Sequence, residues 1–155
     1  MEAKQKIARL AYLSNSSESE YDLKSEFLSI LDEAISDARD SLIERYKWIC
    51  SQSPDSAKFM YENNLMAGYV PEEGIESALK HGTLAIGQIG LAEALQILLG
   101  CDHTTREGME FAQEIEYLFN KRCKEFKEGY HLNFGVYYTP AENLCYTAMK
   151  KFKEK

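Results

Sequence analysis

Residues 83–100 read Thr83-Leu84-Ala85-Ile86-Gly87-Gln88-Ile89-Gly90-Leu91-Ala92-Glu93-Ala94-Leu95-Gln96-Ile97-Leu98-Leu99-Gly100, and this run decides the fold. Its first part is a short apolar stretch interrupted by glycine, which reads as a strand over 83–89. Glycine weakens an ordinary strand, but it lets another backbone or a ligand come close. The second part, 91–99, is rich in Ala, Leu, Glu and Gln and stops at Gly100, the pattern of a helix with a glycine C-cap. A strand that turns through glycine into a helix is the basic unit of an α/β fold.

The same unit recurs downstream. Thr104 or Thr105 caps a helix over about 105–128, whose apolar positions are Met109, Phe111, Ala112, Ile115, Leu118, Phe119, Cys123 and Phe126. Its stripe ends near Gly129. Leu132-Asn133-Phe134-Gly135-Val136-Tyr137-Tyr138 alternates and is rich in β-formers, which predicts a strand over 132–138. Thr139-Pro140 ends it, because proline lacks a ladder donor and restricts the residue before it. A last helix follows over about 141–153, with Pro140 near its first turn. Upstream, Leu23, Phe27, Ile30, Leu31, Ala34, Ile35, Ala38, Leu42 and Tyr46 recur at spacings of three and four, a helical stripe over about 22–49. Residues 51–73, with Ser53-Pro54-Asp55 and Pro71, read as loop. Two short strands separated by helices imply a parallel, helix-rich α/β arrangement in one unit, residues 1–155. Two strands make a poor sheet, so the chain is expected to be part of something larger. Its strand edges should then leave the isolated chain marginal in stability or prone to dimerise.

Composition narrows the class. The 155 residues are 45% hydrophobic and 28% charged, the balance of a globular protein. The net charge of −7 gives no basic surplus to neutralise phosphates, so no general nucleic-acid binding is expected. No apolar run approaches the ~20 residues that cross a bilayer, so no membrane partner is expected. The four cysteines, Cys50, Cys101, Cys123 and Cys145, form no C-x-x-C pair and fit a reducing, cytoplasmic setting.

Two turns carry the candidate chemistry. After the second strand, Thr139-Pro140-Ala141-Glu142-Asn143-Leu144-Cys145 opens a helix whose free backbone N–H groups suit a phosphate or carboxylate. The helix dipole favours the charged form of Glu142 there. The bland alternative is a capping box, with Thr139 as cap and Glu142 as its acid. After the first strand, Gly87 and Gly90 permit close backbone approach, although the turn matches neither G-x-G-x-x-G nor a Walker motif. Tight strand-to-helix packing explains it equally. Cys145 stands one turn into its helix, where a thiol pKa falls, or it is a small buried side chain. Cys101 and His103 have no second cluster at zinc spacing, so no metal site is expected. His81 and His131 precede the strands, as substrate contacts or as edge and capping residues.

Residues 80–100 and 130–145, together with Ser41-Leu42-Ile43-Glu44-Arg45-Tyr46, resemble segments of the anaerobic (class III) ribonucleoside-triphosphate reductases. The first resembles a glycine-interrupted strand and helix of that family, and the second a later barrel strand with its T-P-A-E turn. The resemblance begins near Ile7 and implies part of a ten-stranded α/β barrel of the glycyl-radical type. It implies a catalytic role for Glu142, close to the ribose, and places Thr139, Pro140, Ala141, Asn143, Gly87 and Gly90 at the substrate. It also implies a ribonucleoside triphosphate substrate, the rest of the barrel as partner, and a homodimeric parent enzyme. A separate radical-SAM activase would install the glycyl radical. Relatives commonly have small residues followed by Gly-Arg where this chain has Asn143-Leu144-Cys145-Tyr146.

No radical-bearing glycine motif, four-cysteine zinc site or ATP-cone-like region is found, and the thiyl cysteine is expected before Met1. The radical and the zinc are therefore expected elsewhere in the parent, with no cofactor in this chain. The chain is expected to be an internal fragment of the catalytic domain, inactive alone. Two other readings remain. One is a fragment of another glycyl-radical enzyme. The other is a small helical interaction domain, which predicts that 83–89 and 132–138 do not pair with each other.

Overall fold

The computed structural model describes residues 2–6, residue 11 and residues 20–138. Along the chain run β1 (Glu2–Lys6), α1 (Glu20–Cys50), α2 (Lys58–Glu62), α3 (Glu76–Leu79), β2 (Thr83–Ile89), α4 (Leu91–Leu99), α5 (Arg106–Tyr130) and β3 (Asn133–Tyr138). The strands form one parallel sheet in the order β1-β2-β3. This is a helix-rich α/β architecture. The pairing of β2 with β3 runs from Thr83 opposite Asn133 to Gln88 opposite Tyr138, which removes the helical-domain reading and its unpaired strands.

Two expectations need correction. The sheet has a third strand, β1, whose sequence Glu2-Ala3-Lys4-Gln5-Lys6 carries no apolar alternation. Backbone pairing with residues 85–89 of β2 and packing beside α1 hold it extended, so tertiary context overrides a weak propensity. Residues 51–73 are more ordered than a loop. Pro54 and Pro71 each open a 3-10 turn, at Pro54–Ala57 and Pro71–Glu73, where the missing N–H is no loss. The expected helix at 141–153, with Cys145, lies outside the described residues.

The pleat sorts β2 and β3 into two faces. Leu84, Ile86 and Phe134 point toward the helices and join a core with Phe27, Leu31, Ile35, Leu42, Leu95, Phe111, Ile115 and Phe119. Burying each large apolar side chain contributes about 1.5–3 kcal/mol relative to exposure, so this cluster is the main stabilising term. The residues of opposite phase, Ala85, Gly87, Ile89, Gly135 and Tyr137, lie outside that core cluster.

α1 and α5 lie side by side and run parallel, because their contacts advance in the same direction along both. Lys24 Nζ is 3.3 Å from Glu107 Oε1, Phe27 and Phe111 ring centres are 6.0 Å apart, and Arg122 Nε is 2.8 Å from Asp32 Oδ1. Further along, the Arg39 guanidinium lies 5.0 Å from the Phe126 ring centre. The exposed pairs each contribute about 0–1 kcal/mol, so they fix register more than they stabilise. α5 then returns to the sheet, where Phe126 meets Phe134 edge-on at 5.5 Å.

Thr105, one of the two candidate caps, starts α5. Its side-chain oxygen accepts from the Gly108 N–H at 3.1 Å and its hydroxyl donates to the Asp102 carbonyl at 2.9 Å. Gly108 leaves no room at this turn, since a Cβ there would lie 2.0 Å from the Asp102 carbonyl oxygen. Helix propensity alone would make Gly108→Ala stabilising by about 1 kcal/mol. The clash is with backbone and should win, so Gly108→Ala is expected to destabilise by about 1–3 kcal/mol in a denaturant titration. A rise in stability would show that the turn yields freely.

Candidate functional site

Parallel pairing puts the carboxyl ends of β2 and β3 at one edge of the sheet, where ligands bind in open α/β sheets. β2 leaves that edge through Gly90, which caps α4 with φ 91° and ψ 28°. An L side chain is strained in this left-handed conformation, so the turn itself requires glycine. Gly87 sits in mid-sheet, opposite Lys4 of β1 and Tyr137 of β3, with its Cα on the face away from the core. β3 ends at Tyr138, and the next residue in sequence is Thr139. Thr139, Pro140, Ala141, Glu142 and Asn143 lie outside the described residues. Of the expected site residues, Gly87 and Gly90 are thus described, within a few positions of the shared edge.

The last register pair, Gln88 and Tyr138, belongs to a polar cluster that the sequence reading missed. Gln88 is 5% exposed, in phase with the core residues Leu84 and Ile86. Its Nε2 donates to Glu116 Oε1 of α5, and the Tyr138 hydroxyl donates to Glu116 Oε2 at 2.6 Å. A single carboxylate therefore takes one donor from each of two neighbouring strands. Gln88 Oε1 is buried and has no hydrogen-bond partner among the described residues. Leaving such an oxygen unpaired costs about 1–3 kcal/mol, but turning the amide over would set it against the carboxylate. A glutamine in the buried phase of an otherwise apolar strand was the available signal.

Tyr138 is 60% exposed as a residue, yet its hydroxyl end is held at Glu116. Its pKa is pushed up to about 12, first by the hydrogen bond to Glu116, then by burial and by the carboxylate charge, with Asn120 opposing. Tyr46 is also pushed up to about 12, chiefly by burial.

The cysteines and histidines supply no reactive set among the described residues. Burial raises the Cys123 thiol to about 11 and raises that of Cys50, so neither is primed as a thiolate. Asp102, between Cys101 and His103, accepts from the Thr104 hydroxyl at 2.6 Å and the Thr104 N–H at 2.8 Å. Those bonds hold its carboxyl below the usual range and make the segment a capping turn. No group of three or more His, Cys, Asp or Glu residues able to hold a metal occurs among the described residues. His131 caps α5 with φ 55° and donates its N–H to the Lys127 carbonyl at 3.1 Å. His81 lies against Gly68, where an added Cβ would come 2.8 Å from its Cδ2. Among the described residues no helix is long and apolar enough to cross a membrane.

With the parallel sheet and its shared edge in place, comparison with known proteins assigns the class. The sequence model of the anaerobic ribonucleoside-triphosphate reductases matches residues 6–155. The chain belongs to that family. It is 36% identical over 87 residues to the anaerobic ribonucleoside-triphosphate reductase of Enterobacteria phage T4, a match covering 55% of this chain and 13% of that protein. The matched segment thus spans only about an eighth of that relative's length.

The cluster gives a titration test. A tyrosine whose pKa is raised in the fold contributes stability that is full below its unfolded value near 10 and is lost as pH rises through about 12. The difference between wild type and Tyr138→Phe in phenolate absorbance should therefore show one group titrating near 12. The stability gap between the two proteins should narrow above pH ~10. A difference centred near 10 would mean that the Glu116 bond is absent in solution.

Proposed function

We propose that this chain is part of the catalytic domain of an anaerobic ribonucleoside-triphosphate reductase, an oxidoreductase that converts ribonucleoside triphosphates to deoxyribonucleotides. Membership of the family over residues 6–155 is the observation that carries this reading. The parallel β2–β3 pair supports it, because the chain enters the T-P-A-E turn from the same edge at which β2 turns through Gly90. The same family match favours a reductase over another glycyl-radical enzyme.

In this reading the sheet is a section of the ten-stranded barrel. The face bearing Ala85, Gly87, Ile89, Gly135 and Tyr137 is its interior, and the helices on the other face are its outer layer. Small residues at Gly87 and Gly135 keep that interior open to a ribose. Gly90 and the residues Thr139, Pro140, Ala141 and Asn143 border the nucleotide. The reaction breaks the ribose C2′–O bond and releases the oxygen as water. That step needs a proton delivered to the leaving hydroxyl and a base for the 3′ oxygen. Glu142 takes this acid–base role, which typically contributes 10²–10⁴-fold in rate. A formate or thiol system supplies the two electrons. A glycyl radical, installed by a radical-SAM activase, supplies the hydrogen-abstracting chemistry from elsewhere in the longer, homodimeric and cytoplasmic parent. The zinc site also belongs elsewhere, and the chain alone is inactive.

The test is Glu142→Gln in the reductase that contains this chain, activated anaerobically. Deoxyribonucleotide formation should fall by about 10²-fold or more, with the KM for nucleotide within a few-fold and the radical still formed. Unchanged turnover would remove Glu142 from the chemistry. Radical formation without any nucleotide reduction by the wild type would remove the reductase reading itself.

A further inference from the structure

We propose that Glu116 is a positioning residue for the active-site edge, holding the ends of β2 and β3 in place through Gln88 and Tyr138. The inference rests on the reductase reading for its effect on turnover, but the clasp is geometric. Among the described residues Gln88 and Tyr138 are the last register pair of β2 with β3, and β2 runs one residue further, with Ile89 paired to Lys6 of β1. Such a terminal pair is where a sheet frays. Here both side chains converge on one carboxylate from α5, Gln88 Nε2 on Oε1 and the Tyr138 hydroxyl on Oε2 at 2.6 Å.

The two carboxylate oxygens are held rigidly by their shared carbon. Two donors bound one to each oxygen therefore fix the separation of the strand ends and their distance from the helix. Neither donor is the side chain's easiest use. Gln88 is 5% exposed and leaves Oε1 unpartnered among the described residues, while Tyr138 is 60% exposed and had water as an alternative to Glu116. A strand end that only needed to be buried would carry an apolar residue at 88, as it does at 84 and 86. Tyr138 also stands four positions before Glu142 in the sequence, so its placement bears on that of Glu142 in the reductase reading. Loss of about an ångström of placement at a reacting group can cost ~10²-fold in rate.

Glu116→Leu, Glu116→Gln and Tyr138→Phe separate this role from simple stabilisation. Glutamine at 116 still accepts from Gln88 and donates to the tyrosine oxygen, whereas leucine does neither. In the reductase containing this chain, Glu116→Leu should lower kcat about 10-fold or more, with KM changed less than about twofold. Glu116→Gln should recover most of that loss, and Tyr138→Phe, which removes one exposed hydroxyl and leaves the core intact, should show an intermediate kcat. Equal kcat for leucine and glutamine at 116, or a loss confined to KM, would overturn the proposal.

Hydrogen exchange on the 155-residue chain reads the clasp without any turnover, so a failed reductase reading leaves it testable. Glu116→Leu should speed exchange in β2 and β3 near Gln88 and Tyr138 about 10-fold, and spare the amides near Thr83 and Asn133. Uniform acceleration along both strands, or none, would overturn it.

Discussion

Everything described at this site depends on β2 and β3 being parallel neighbours in register, Thr83 with Asn133 through Gln88 with Tyr138. An antiparallel pair would send its two exits to opposite ends of the sheet. The parallel pair sends both to one edge, and it needs a long crossover to do so. That crossover is α4 and α5, and the rest of the core follows from it. α5 must return antiparallel to the strands, α1 must lie parallel to α5, and the apolar stripes of both must face the same side of the sheet. Leu84, Ile86 and Phe134 complete that side. The opposite side is left to Ala85, Gly87, Ile89, Gly135 and Tyr137, which lie outside that core cluster.

Legibility in the sequence followed local chemistry. The bounds of β2 and α4 were readable because glycines bracket them, and Gly90 and Gly100 both adopt the positive φ that such punctuation requires. α1 and α5 were readable because their stripes are long and regular. β1 was not, because Glu2-Ala3-Lys4-Gln5-Lys6 carries no pattern of its own and takes its extended form in the context of β2 and α1. The reason for glycine at 108 lies across the turn at Asp102, out of reach of a local reading. The parallel arrangement of β2 and β3 was anticipated from the order of elements. The Glu116 cluster was not, since its members are separated by 28 and 22 positions and only the packing of α5 on the sheet brings them together.

The candidate site divides along the same line. Gly90 has a structural reason that needs no ligand, because its turn demands a left-handed residue. Gly87 has none of that kind. Its φ is not positive, and it occupies a strand position where a β-branched residue would pair better. Its meaning comes from the face it lies on, away from the core and between two other strands. Residue type alone did not separate these two glycines. Backbone conformation and sheet face do.

The unequal lengths of α5 and β3 have a consequence for access. α5 has 25 residues and β3 has six, and Glu116 is level with the last residue of the strand. The ten residue steps from Arg106 to Glu116 therefore extend about 15 Å past the carboxyl edge of the sheet. α4 packs against α5 and against α1. One flank of the strand ends is thus lined by packed helices, with Phe27 of α1 against Phe111 of α5. The described carboxyl edge of the sheet is thus walled on its helix side to a height of about three helical turns.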